Sequence, residues 1–440
     1  MRKKRGIGEL DGVENIAKIV MFSLLASIMI IGVFSARGLF ADGSYFMFQM
    51  LQRKGFFVFD EPRIFAQIIT QAPVVMAMRA GIDNMSVLIR LQSFGLIGIP
   101  LLLWVSALLI SFWSEWFWYF CLAFAVTYLT AGFFSVGEYN LAYAAVALAA
   151  AILLGERIGF WRLLTLLSMA FLLTRSYEAM VFLGPLLFAM SIYRAHIDEE
   201  LPISARGGLV LAAFLFAVAA AIAGWSILFP RDPVNLAGAE DLMAVVEQKF
   251  FIWVAVEVVV SAILLLNVRV RVTWVFLVVG VVFDALLLFR VGWTSSPDGN
   301  YKFRAVAGLL LFVVLAWMAA VSILPWKRGV GIRLGALNVF LLTISLSVSF
   351  FQYNFGFMGW VGRLDRVALK IHHDVPMKDT AIDDRGSLYD WGWTDPWLTA
   401  ILKGGGKGVV LSYSNFWNKQ FLSECRGGCL GSYKKPGSVY

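Results

Sequence analysis

Three cysteines and three histidines in 440 residues exclude a disulfide-stapled scaffold and a metal centre rich in either residue. His196, His372 and His373 lack the helical His-x-x-x-His spacing, so no zinc site is read from them. Charge is equally scarce, at 15 % of positions, too little to solvate a soluble surface of this size. There is no glycine-rich loop ending in Gly-Lys-Ser/Thr, no serine-centred nucleophile elbow and no internal repeat. Gly6-Ile-Gly8 follows no strand, so nucleotide-binding, hydrolase and dinucleotide readings drop out and no nucleotide cofactor is expected.

What the chain has instead is apolar sequence, 60 % of all positions, gathered in long blocks. A bilayer core about 30 Å thick needs about 20 apolar residues per helix. On that measure the chain is an all-α membrane protein of about 11 transmembrane helices, near 17–36, 85–110, 116–135, 139–155, 162–177, 179–194, 207–229, 249–267, 273–290, 305–325 and 334–352. Lys and Arg collect in the N-terminal Met-Arg-Lys-Lys-Arg and in alternate loops (Arg157 and Arg162; Arg194 and Arg206; Arg269 and Arg271; Lys327, Arg328 and Arg333). The positive-inside rule then puts the N-terminus in the cytoplasm and, with an odd number of spans, residues 353–440 on the outer face of the cytoplasmic membrane. The net charge of +8 follows from this topology and is no nucleic-acid footprint.

The expected organisation is a membrane body, 1–352, and a small extracytoplasmic C-terminal region, 353–440, too short for much core of its own and leaning on the body. The first span follows a basic stretch but exceeds a cleavable signal's apolar run, so it is read as a retained anchor. Cys121 lies within a span as a packing residue. Cys425 and Cys429, in Glu-Cys-Arg-Gly-Gly-Cys-Leu, are expected to form a small-loop disulfide in an oxidising compartment, a two-cysteine metal site being the poorer reading.

The first outer loop, about 37–84, mixes carboxylates, cations and aromatics where a short turn would serve. A loop of this kind beside a bilayer reads as the entrance to a site. Residues 61–82 carry Gln67, Gln71 and Pro73 among apolar neighbours and are read as a helix lying in or near the interface; as a span they would switch the side of every later loop.

The outer face collects Asp42, Asp60, Glu61 and Arg63, then Glu138, Arg175 and Glu178, and further on Arg231, Asp232, Glu240, Asp241, Arg290, Asp298, Lys302 and Arg304 with Tyr301 beside them. Asp42 stands just beyond the first span, where a partly buried carboxylate can take a proton from an attacking hydroxyl. It also suits the N-cap of the helix that follows. Arg175 and Glu178, three apart, either pair on one helix face or leave Arg175 free to clamp a phosphate, as Arg290, Lys302 and Arg304 would. Headgroup anchoring accounts for that cationic cluster equally well, and Tyr301 fits an aromatic belt. Glu257 and Asp284 fall inside spans, where a carboxylate must face a cavity or a partner.

A cytoplasmic N-terminus, a first span ending in Asp42-Gly-Ser-Tyr45-Phe46, a long first outer loop with interface helices, about 11 spans and an outer tail together resemble the GT-C superfamily of membrane glycosyltransferases. The resemblance implies transfer of a sugar from a polyprenyl-phosphate carrier to a glycan, lipid or protein acceptor at the outer face. Asp42 inherits the role of the acidic residue after span one, base or metal-associated carboxylate. No paired acidic motif stands at Asp42, which leaves a divalent metal open; Asp60 and Glu61 would supply the second acidic group. Two other classes compete. A transporter or flippase of an amphipathic substrate would rest on Glu257 and Asp284, and a structural subunit would dock a partner through the Trp-rich tail.

Overall fold

A computed structural model describes residues 7–114, 116–129, 137–230, 297–323, 358–368, 394–403, 420–421 and 430. Every regular element among these residues is helical. A chain in lipid must satisfy its backbone groups internally, and the helix does so within one segment. In chain order the helices are α1 (Ile7–Phe34), α2 (Asp42–Arg53), α3 (Ile64–Arg79), α4 (Met85–Ser93), α5 (Ile99–Ser111) and α6 (Phe117–Phe124). There follow α7 (Tyr139–Leu154), α8 (Phe160–Leu173), α9 (Met180–Ile197), α10 (Ile203–Leu228), α11 (Pro297–Ile323), α12 (358–368) and α13 (Asp395–Lys403).

Four of the described helices are long and apolar enough to cross a membrane: Asn15–Phe34, Met85–Ser111, Met180–Ile197 and Ile203–Leu228. Tyr139–Leu154, Phe160–Leu173 and Ala307–Ser322 are apolar but shorter. The described part is thus that of a helical membrane protein. The blocks expected at 249–267, 273–290 and 334–352 lie outside the described residues, as do Glu257, Asp284, Arg290, Cys425, Cys429 and most of the tail.

Two contacts fix α1 antiparallel to the α4–α5 rod. At one end buried Lys18 donates from Nζ to the carbonyl of Phe112, 2.8 Å away, with the rings of Phe112 and Phe117 against its ammonium. At the other, the Gly38 N–H donates to Ser93 Oγ at 3.0 Å. The later helices alternate, so Arg162, Arg194 and Arg206 share the Lys18 end while Asp42, Glu138 and Arg304 share the opposite one.

The first loop folds into compact structure at that second end. Asn84 caps α4, its Oδ1 accepting from the N–H groups of Ser86 and Val87. A π-helical turn, Phe94–Gly98, joins α4 to α5. Within it Gly95 lies so close to α3 that a Cβ would overlap the carbonyl oxygen of Thr70. The α3 helix, which contains Pro73, therefore crosses the rod at backbone contact.

Sequence pattern alone makes α2 an amphipathic helix, yet Gly43–Leu51 are all buried. The reason is α13, which covers its second face: Tyr45 meets Trp397 edge-on at 5.0 Å, and Trp397, Leu398 and Ile401 are buried. The α12 helix is tied to the end of α1 by Trp360, whose Nε1 donates to the Ser35 carbonyl at 3.0 Å.

Candidate functional site

The backbone reaches Asp42 through a strained approach. Ala36 and Ala41, on either side of the 3₁₀ turn Arg37–Leu39, both have φ of 53°, and Ala41 combines it with ψ of −134°, a region L-residues avoid. Asp42 is not the N-cap of α2, as its residue type suggests; Ala41 occupies that place and Asp42 is the first helical residue. Its carboxylate turns instead toward α11, with Oδ2 3.5 Å from Nη2 of Arg304 and the side chain 14 % exposed.

Arg304 is buried and held at both ends. Its guanidinium stacks on the Tyr139 ring at 5.3 Å, and its main-chain carbonyl accepts from the Tyr143 hydroxyl at 2.6 Å. Tyr139, Tyr143 and Tyr177 form a triangle, their ring centroids 5.8 to 6.0 Å apart. The Arg63 guanidinium rests on the far corner, 5.1 Å from the Tyr177 ring.

Around Arg63 three elements meet. Nη2 lies 2.7 Å from Glu178 Oε1, Nε 3.2 Å from Asp60 Oδ2, and Nη1 3.9 Å from Glu138 Oε2. Burial opposes the charge on Arg63, but Glu178, Glu138 and Asp60 together raise its pKa well above the ordinary guanidinium value. Burial, reinforced by Glu178, pushes the Tyr177 phenol up as well, so it stays protonated. Gln67 completes the network: its Nε2 donates to Glu138 at 3.1 Å, and its Oε1 accepts from the N–H groups of Phe59 and Asp60. One turn on, Gln71 clamps Phe57 from both sides, accepting from its N–H at 2.8 Å and donating to its carbonyl at 2.7 Å.

Six of the residues expected in a site thus converge: Asp42 and Arg304 in one pair, Asp60, Arg63, Glu138 and Glu178 in a second group, with the tyrosines between. Glu61 is exposed at the start of the 3₁₀ turn Glu61–Arg63. The expected helical pairing of Arg175 with Glu178 does not form. α8 ends at Leu173, Arg175 is exposed in the turn that follows, and Glu178 points to Arg63. Arg175 contributes its carbonyl, which accepts from the Phe65 N–H at 3.1 Å. Tyr301 and Lys302 lie on the first turns of α11, and Arg290 lies outside the described residues.

Arg63 is engaged by three carboxylates, so it serves poorly as a phosphate clamp. Nor do those carboxylates fit a divalent cation, because they converge on a guanidinium, and no grouping of three His, Cys, Asp or Glu able to hold a metal occurs among the described residues. Gln67, Tyr139, Tyr143 and Tyr177 belong to the site although charge alone does not single them out. Their one signal is position: Tyr139 follows Glu138, Tyr143 stands one helical turn beyond it, Tyr177 precedes Glu178, and Gln67 sits with Gln71 among mostly apolar neighbours. Compared with family models, curated proteins and solved structures, the chain matches none.

Proposed function

We propose that this chain is an integral-membrane glycosyltransferase that moves a sugar from a polyprenyl-phosphate carrier to an acceptor on the outer face of the cytoplasmic membrane. The observation that carries the reading is Asp42, a partly exposed carboxylate on the first turn of α2, facing Arg304 at the end of the bundle that also holds Asp60, Arg63, Glu138 and Glu178. In this reading the N-terminus is cytoplasmic, about 11 helices cross the bilayer, the first loop stands on the outer face, and the tail packs there through α13.

The reaction is written as a direct displacement. Asp42 takes the proton from the acceptor hydroxyl as its oxygen bonds the anomeric carbon. The bond from that carbon to the phosphate oxygen breaks, and polyprenyl phosphate leaves with the electron pair. Arg304 is the nearest described cation to the carboxylate and supplies positive charge where negative charge develops. Lys302 and Tyr301, on the same turns of α11, and Arg290 and Arg175 are the further groups proposed toward the phosphate.

Asp42→Asn tests the assignment with a side chain of equal size. Purified protein in proteoliposomes, given a panel of polyprenyl-phosphate hexoses and acceptors, should lose transfer by at least ~10²-fold, within the span removed with a general base. The variant should still unfold cooperatively, at a temperature a few degrees lower because Arg304 loses its carboxylate, so the loss of transfer is not a loss of fold. A variant with full activity would remove Asp42 from the chemistry.

A further inference from the structure

Arg304 is tied to α7 by a contact to its main chain that is separate from its ion pair with Asp42. Tyr143, on α7, is 1 % exposed and donates its hydroxyl to the Arg304 carbonyl at 2.6 Å. A buried phenol needs such a partner, and here the partner is the main chain of the residue that faces Asp42. The approach is open only because residue 308 is glycine. A Cβ at Gly308 would sit 2.4 Å from the Tyr143 hydroxyl oxygen and 2.9 Å from the ring carbon bearing it. The same ring meets Tyr139, on which the Arg304 guanidinium stacks. Backbone and side chain of Arg304 are therefore both referred to α7.

We infer that Tyr143 and its slot at Gly308 are positioning residues that hold Arg304 in register with Asp42. The inference takes its catalytic consequence from the transferase reading above; the geometric part stands apart from it. At 3.5 Å the Arg304–Asp42 contact is long for a charged hydrogen bond, so a shift of a few tenths of an ångström at α11 changes it substantially. Tyr143→Phe removes the hydroxyl and keeps the ring. Gly308→Ala keeps the hydroxyl and blocks its path.

Each variant should lower kcat on the order of tenfold while KM for the lipid-linked donor stays within about twofold, because misplacement costs rate rather than ground-state binding. The double variant should be no slower than the slower single one, since the atom nearest the new methyl is gone. Unchanged kcat in Tyr143→Phe, a rise in KM alone, or additive losses would overturn the inference.

A second arm needs no substrate. The coupling between Asp42→Asn and Arg304→Gln, measured by thermal unfolding as a double-mutant cycle, should shrink by at least half in the Tyr143→Phe background. An undiminished coupling overturns the positioning role. A diminished coupling in a protein that transfers no sugar from any polyprenyl-phosphate hexose supports the positioning role and sinks the transferase reading instead.

Discussion

Arg63 shows why residue type and residue role separate. By type it is one more outer-face cation of the first loop, yet its fork is engaged by Asp60, Glu138 and Glu178. Removing one member of a buried ionic network leaves the others uncompensated. Arg63→Gln should therefore cost about 3 kcal/mol in unfolding free energy, read from denaturant or thermal melts in detergent. Arg63→Lys should recover less than half of that, because an ammonium cannot span three carboxylates as a planar fork does. Tyr177 gives a pH signature. Its phenol is raised in the folded state, so the unfolded chain ionises first, near the ordinary value of about 10. Stability should hold below that pH and decline as pH rises through it, and Tyr177→Phe should flatten the decline in thermal melts taken between pH 8 and 11.

At the scale of the element, the crossing of α3 over the π-helical turn is decided by one missing side chain. Gly95 permits backbone contact with Thr70, and any Cβ there must push the two apart. The apolar stretch Phe94–Gly98 reads as ordinary span sequence, and nothing in it announces a partner helix at that depth. Gly95→Ala should destabilise the protein by about 2 kcal/mol, within the range for overpacking a tight contact. It should also expose the chain around α3 to limited proteolysis, detected as cleavage within residues 54–84 that the parent resists. The two glutamines of α3 belong to the same account. They look out of place in an apolar helix, and the fold uses them to hold the extended segment Phe57–Asp60 against it.

For the whole molecule, the Asp42 site and the loops bearing Arg162, Arg194 and Arg206 stand at opposite ends of the bundle. Lys18 shares the end of those loops. If that end is cytoplasmic, single cysteines should label from opposite sides. In a background of Cys121→Ala, Cys425→Ser and Cys429→Ser, the exposed positions Arg79 and Ile203 are suitable probes. In intact cells Arg79→Cys should react with a membrane-impermeant maleimide, and Ile203→Cys should react only after permeabilisation. The reverse pattern would invert the topology and place Asp42 on the cytoplasmic side.

Hydropathy by itself determined the class of this protein and the extents of its apolar helices, because burial in lipid is a property of each segment alone: α4 with α5, α7, α9 and α10 match their expected blocks within a few residues. The same local reading named Asp42, Asp60, Arg63, Glu138, Glu178 and Arg304, since an ionisable group near a bilayer is costly wherever it occurs. Which of them pair was decided only by tertiary structure. Asp42 meets a residue 262 positions away on α11, Glu178 pairs with Arg63 rather than with Arg175, and three uncharged tyrosines fill the space between. Pairing depends on helix packing, and that packing is set by clearances such as those at Gly95 and Gly308, which acquire meaning only when another chain segment lies against them.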